Sequence, residues 1–96
     1  MPAVTRIGDA DVAHCSGMTR AVGSGDVFAN GIGVSRQDDV NTSHLLPPAP
    51  CPSHSAPIAV GSTTVFTNGK GTGRVGDAIS GCTSVAAGSP TVFAGP

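Results

Sequence analysis

The sequence predicts a small, mainly β domain of short strands and tight turns, and three observations lead to that class. Good helix formers are scarce, glycine and proline are abundant, and one strand-and-turn signature occurs three times. Fourteen Gly and eight Pro stand among 96 residues, Glu is absent and Lys70 is the only lysine, so long helices are not expected. An apolar fraction of 39% and a net charge of −1 separate the chain from disordered sequences, which are poor in apolar residues and highly charged.

The repeated signature emerges when the chain is laid over itself. Gly23-Ser24-Gly-Asp-Val27-Phe28-Ala-Asn30-Gly31 matches Gly61-Ser62-Thr-Thr-Val65-Phe66-Thr-Asn68-Gly69 at an offset of 38, and Gly88-Ser89-Pro-Thr-Val92-Phe93 supplies a third copy near the end. Such self-similarity marks a repeat architecture. Val-Phe followed by Asn-Gly reads as a short strand entering a primed turn, because Asn and Gly tolerate positive φ. On this reading Asn30 and Asn68 serve turn chemistry alone.

A second element alternates with the first: Arg6-Ile-Gly8-Asp9, Arg36-Gln-Asp38-Asp39 and Arg74-Val-Gly76-Asp77, the middle copy having lost its Gly. The chain opens with the Arg-x-Gly-Asp half of a unit and closes with the Gly-Ser-x-x-Val-Phe half. Joined tail to head, the halves make three whole units, as a closed pseudo-threefold ring would. Residues 45–52, with four prolines, interrupt the pattern and read as an extended connection. Residues 1–96 are therefore read as one domain of three degenerate repeats.

A chain of this size buries only about 60–65% of its unfolded surface, and three Phe with no Trp or Tyr supply few large core anchors. A metal or a disulfide is the usual remedy. Three cysteines, Cys15, Cys51 and Cys82, cannot all pair within one chain, and Met1-Pro2-Ala3 lacks the start of a signal peptide, which implies synthesis in a reducing cytoplasm. A metal site is the better expectation.

Counting five residues beyond the aspartate of each Arg-x-x-Asp element gives His14, His44 and Cys82. All three are good transition-metal ligands, and a threefold ring would bring them together around its axis. His54 could complete a tetrahedron, with Cys51 or Cys15 as the substitute. Three imidazoles and a thiolate suit Zn²⁺ or Fe²⁺. Four protein ligands leave no open position for water or substrate, so the expected role is structural, a staple across the chain.

Other chemistry finds little support. No basic cluster suggests nucleic acid or an anionic membrane, and no apolar run approaches the ~20 residues of a spanning helix. Gly71-Thr-Gly73-Arg-Val-Gly76 fits a dinucleotide fingerprint in letters only, without the long strand and the helix that should flank it. Asn41-Thr-Ser43 is a glycosylation sequon by pattern. A small metal-dependent hydrolase would need an open coordination position and a general base, for which Asp11 and Asp77 are the nearby carboxylates. A free-standing metal-binding or disulfide-linked module is the other alternative.

Arg-x-Gly-Asp followed five residues on by His or Cys, alternating with Gly-Ser-x-x-Val-Phe-x-Asn-Gly, resembles the PAAR-repeat proteins over essentially the whole chain. Where that family has Pro-Ala-Ala-Arg, this chain has Gly33-Val34-Ser35-Arg36 and Gly71-Thr72-Gly73-Arg74, so only the arginine is kept. The resemblance implies a small cone of three β faces, stapled near its apex by one metal ion on His14, His44, His54 and Cys82. It also implies a non-enzymatic structural tip that caps the trimeric β-helical spike of a type VI secretion system or a contractile phage tail and sharpens it for membrane puncture. The implied partners are the spike trimer, effector cargo held noncovalently and, during puncture, the target membrane. No fused toxin domain is expected in a chain of this length. The implied location is extracellular delivery as part of a secretion spike, or the tail of a virion.

Overall fold

A computed structural model describes residues 1–14, 16–45 and 53–95. Cys15 and Cys51, the alternative ligands, and most of the proline-rich connection lie outside the described residues. Among the described residues there is no helix; the backbone forms six two-residue strands in three antiparallel hairpins and a set of single bridges. The mainly β expectation holds, and its cause is local: few helix formers and frequent turn residues leave hydrogen bonding to be completed between segments.

Two hairpins arise from the repeated signature. β1 (Phe28–Ala29) pairs with β2 (Ile32–Gly33), and β5 (Phe66–Thr67) pairs with β6 (Lys70–Gly71), each across a two-residue Asn-Gly loop. Asn30 and Asn68 both have φ of 55°, followed by Gly31 at 76° and Gly69 at 78°, the paired positive φ of a type I′ turn. The third copy is closed by the beginning of the chain. Ala3 bridges Phe93 as Gly33 bridges Phe28 and Gly71 bridges Phe66. The Val4 amide donates to Val92, as Val34 donates to Val27 and Thr72 to Val65.

The three units interlock with the same bonds at each junction. Thr5 donates its amide to Gly73, Gly73 to Ser35, and Ser35 back to Thr5, at 2.9–3.0 Å, closing a ring of three backbone hydrogen bonds. Bridges Arg6–Val34, Arg36–Thr72 and Val4–Arg74 repeat the relation one residue away on either side. Further along the chain, Arg20–Asn41, Ile58–Ile79 and Asp11–Val85 repeat it again. Ser24, Ser62 and Ser89 each accept the amide of the Val three residues on at their hydroxyls, 2.9 Å away, which fixes the turn that enters each hairpin.

The Arg-x-x-Asp element is a tight turn clamped by its own side chains. In each copy the carboxylate accepts the arginine's backbone amide, and the guanidinium grips both carboxylate oxygens at 2.8–3.2 Å, the bidentate geometry that only arginine supplies. The third position of the turn has positive φ: Gly8 at 90°, Gly76 at 91° and, in the copy without glycine, Asp38 at 76°. An L-residue held there costs roughly 1–2 kcal/mol, partly offset by glycine's larger entropy loss. Asp38→Gly is expected to raise stability by about 0.5 kcal/mol, a gain of about 2–4 °C in a thermal melt.

Asn30 and Asn68 do more than turn the chain, which corrects the sequence reading. The Asn30 side chain accepts from Arg6 Nη1 and from the Ser89 hydroxyl, and donates to the Thr91 hydroxyl at 2.8 Å. Asn68 accepts from Arg36 Nη1 and donates to Asp26. In the third unit the Gly95 carbonyl takes over, accepting from Arg74 Nη1 and the Ser62 hydroxyl. Each turn is thus latched to another unit. Asn30→Gly preserves the positive φ and removes the latch, and is expected to destabilise by about 1–2 kcal/mol, measured by denaturant melts against Asn68→Gly.

The apolar core is small. Val4, Ala29, Val34 and Ala94 form one cluster beside the hairpins. Ala56, Ile58, Ile79 and Val85 form another, with Val75 and Cys82 against it. Along the middle unit the chain leaves its hairpin at Gly33, passes the ring at Ser35 and the clamp at Arg36 to Asp39, and arrives at β3 (His44–Leu45).

Candidate metal centre

Three of the candidate ligands arrive by the same route in different units. His14, His44 and Cys82 each lie five residues beyond a clamped aspartate, so the turns that interlock around the ring deliver their side chains to one place. His54 comes from elsewhere: β4 (Ser53–His54) pairs antiparallel with β3, and His44 and His54 are direct cross-strand partners. The pairing is an addition to the sequence reading, which gives residues 45–52 only as an extended connection. Cross-strand neighbours on one face stand about 4.5–5.5 Å apart at Cβ, which lets the two imidazoles reach the same metal ion.

His14, His44, His54 and Cys82 place one donor atom each within 4.8 Å of all the others, and the group could hold a metal ion. His14 Nε2 lies 3.0 Å from both Cys82 Sγ and His44 Nε2. His44 Nε2 is 3.2 Å from the sulfur, and His54 Nε2 is 3.5 Å from both His14 Nε2 and the sulfur. A tetrahedral zinc ion with bonds of about 2.0–2.1 Å to nitrogen and 2.3 Å to sulfur separates its donors by about 3.3–3.6 Å. The donor set suits such an ion: the two contacts of His54 fall in that range, and the three among His14, His44 and Cys82, at 3.0–3.2 Å, lie just below it.

The surroundings favour the ligand form of His44 and His54 and oppose that of Cys82. His44 is buried, and its Nδ1 lies 2.7 Å from the Thr42 carbonyl. Donation from Nδ1 to that carbonyl leaves the Nε2 lone pair directed at the cluster, the usual way an outer hydrogen bond orients a metal-binding imidazole. Burial, with His44 and His14 adding to it, holds His54 below the ordinary imidazole range and so unprotonated at neutral pH. Burial, with the Asp11 carboxylate adding to it, pushes the Cys82 thiol up, against the Asn41 amide and the Arg20 guanidinium, which favour thiolate. A bound dication would overcome that desolvation directly.

Beside the cluster lies a buried polar group that sequence reasoning missed. Asp11, Asn41 and Ile79 stand three residues before His14, His44 and Cys82, and all three are buried. Arg20, Ile58 and Val85 are likewise equivalent, each accepting at its carbonyl from the third residue of a clamp turn, Gly8, Asp38 or Gly76. Arg20 and Asp11 form an ion pair at 3.1 Å with no exposed side-chain surface on either. Asn41 Nδ2 donates to Asp11 Oδ2 at 3.1 Å, and Asn41 Oδ1 accepts the Ala56 amide at 2.9 Å. The hint in the sequence was the spacing of three residues before each ligand, where the polar residue types differ from Ile79.

These contacts also bear on the other sequence-derived candidates. Asp11 is held by Arg20 and Asn41, and Asp77 is gripped by Arg74, so neither carboxylate is placed as the general base of a hydrolase. Asn41 of the sequon is fully engaged inside the protein. Gly71 to Gly76 form a strand end and a clamp turn, with no helix following.

Residues 49–95, which carry His54, Cys82 and the third clamp, match the family model described as the PAAR motif. The chain is a PAAR-repeat protein. A search of curated proteins produced no match. The family is structural rather than enzymatic, in keeping with a PAAR-repeat centre whose four donors are all side chains. The first 48 residues of this PAAR-repeat protein carry the same clamp and hairpin signatures, with His14 and His44 in the positions that correspond to Cys82.

Proposed function

We propose that this PAAR-repeat protein is a structural tip that caps the trimeric β-helical spike of a type VI secretion system or a contractile phage tail, with one Zn²⁺ or Fe²⁺ ion on His14, His44, His54 and Cys82 as its staple. The observation that carries the reading is the threefold repetition of exposed apolar residues. Phe28 and Phe66 in their hairpins and Phe93 in the bridge between the two ends of the chain occupy the same register position, and each remains about half exposed, at 57%, 61% and 49%. Val27, Val65 and Val92 beside them are exposed as well. Exposed apolar residues that recur in this way mark an interaction surface, and pseudo-threefold placement in one chain complements a true threefold partner.

A tip needs rigidity rather than turnover. The clamps, the hydrogen-bonded ring and a metal linking residues 14, 44, 54 and 82 supply it. Synthesis in the cytoplasm, delivery on the spike and transient contact with a target membrane follow from this role, as does noncovalent carriage of a cargo protein.

The test is native mass spectrometry of the chain mixed with a trimeric β-helical spike protein from its own source. One chain per trimer is expected, with binding weakened at least tenfold by Phe28→Ser/Phe66→Ser/Phe93→Ser in a variant that keeps its metal and its melting temperature. A folded, metal-loaded chain with no affinity for the trimer would favour the free-standing metal-binding module instead.

A further inference from the structure

We infer that Arg20, Asp11 and Asn41 form a positioning network for the metal centre, in which the buried ion pair holds the Asn41 amide and Asn41 holds the segment that presents His54. The inference rests on the proposed metal site.

The case begins with what the network does not do. At equivalent positions in the other units Ile58, Val85 and Ile79 fill the interior with apolar side chains, so packing alone does not require a charge there. Burying the pair is unfavourable in itself. Arg20 Nε and Nη2 and Asp11 Oδ1 are buried without an aligned hydrogen-bond partner, although Nη2 and Oδ2 are in ion-pair contact. Burial pushes Asp11 up and Arg20 down, outweighing their mutual attraction. A buried pair of this kind is often replaceable by hydrophobic residues with no loss of stability. Some other constraint retains it.

That constraint is visible at Asn41. Asp11 Oδ2 accepts from Nδ2, which fixes the amide plane and turns Oδ1 toward the Ala56 N–H. The Asn41 backbone donates to the Ala56 carbonyl at 3.1 Å, so both polar groups of residue 56 are held by one residue. Arg20 extends the anchor through Nη1 to the Asp39 carbonyl, at 3.3 Å, within the clamp that precedes His44. Ala56 lies two residues beyond His54, the one candidate ligand without a repeat-equivalent position. His14, His44 and Cys82 are delivered by three copies of the same clamp. His54 has none, and Asn41 stands in for it.

The test replaces the pair by residue types that the other units already use. Asp11→Ile/Arg20→Ile is expected to fold and melt cooperatively when loaded with metal, because packed apolar residues can replace a buried ion pair. In the same variant Co²⁺ should dissociate to excess EDTA about 10–100-fold faster, the usual effect of losing an outer-shell contact. Its Co²⁺ spectrum should shift in the direction of His54→Ala, and adding His54→Ala to it should cause little further loss. Asn41→Ser, which keeps both charges and shortens the amide arm, should reproduce the faster release if the double variant fails to fold. Wild-type spectrum and release rate in either folded variant would overturn the positioning role while leaving the metal centre intact. A wild-type protein that takes up no Co²⁺ would overturn the metal centre and this network's role together.

Discussion

Chelating the metal is expected to unfold the protein rather than merely loosen it. The buried apolar residues described are Val4, Met18, Ala29, Val34, Ala56, Ile58, Ile79, Val85 and Ala94. Three are alanines and none is aromatic, so hydrophobic stabilisation is thin for a chain of 96 residues. A structural zinc site contributes on the order of 10 kcal/mol of apparent folding free energy, comparable with the whole 5–15 kcal/mol stability of an ordinary domain. The metal-loaded protein should melt cooperatively, and the chelated protein should lose that transition or melt tens of degrees lower. His44→Ala should behave like the chelated protein without chelator, since His44 is the most buried of the four. Acid should act in the same direction, because protons compete with the metal for imidazole and thiolate, with release as pH falls toward about 5. Calorimetry beside elemental analysis checks all three. A metal-free protein with an unchanged cooperative melt would end the staple interpretation.

The second large effect is expected at Gly73. A Cβ placed there would stand 2.7 Å from the Ser35 carbonyl oxygen, 2.8 Å from Ile58 Cδ1 and 3.0 Å from Thr5 Cγ2. The oxygen is the acceptor of Gly73's own ring hydrogen bond, and Thr5 and Ser35 are the other two ring members. Relief of the clash must therefore open the ring, because the obstructing atoms belong to backbone and to fully buried side chains. Gly73→Ala is expected to destabilise by about 3 kcal/mol, the upper end for overpacking, and to lower the melting temperature by about 12–24 °C. Gly17→Ala is the control, with nothing within 4 Å of its added Cβ. Equal melts for the two variants would show that the ring tolerates opening.

Much of this molecule was legible in its letters because its repeats are local and periodic. The Asn-Gly turns, the recurrence of the Arg-x-x-Asp element and the equivalence of His14, His44 and Cys82 follow from residue types and fixed spacings, which determine turn geometry and the order in which side chains meet an axis. The meeting of the two chain ends at Ala3 and Phe93 was legible too, since the half units at the two ends make a whole one when joined. Folding added what spacing along the chain does not encode. Asn30 and Asn68 look like turn residues until side chains of other units approach them, Ser89 and Thr91 at Asn30 and Asp26 at Asn68. Asp11, Arg20 and Asn41 look like ordinary surface polar residues, and they meet only because segments of two units bridge one another there. His54 has no counterpart in the repeat, and its place beside His44 is set by strand pairing. Local dihedral preferences act over a few residues and can be read one unit at a time, whereas burial and cross-unit hydrogen bonds exist only after the ring has closed.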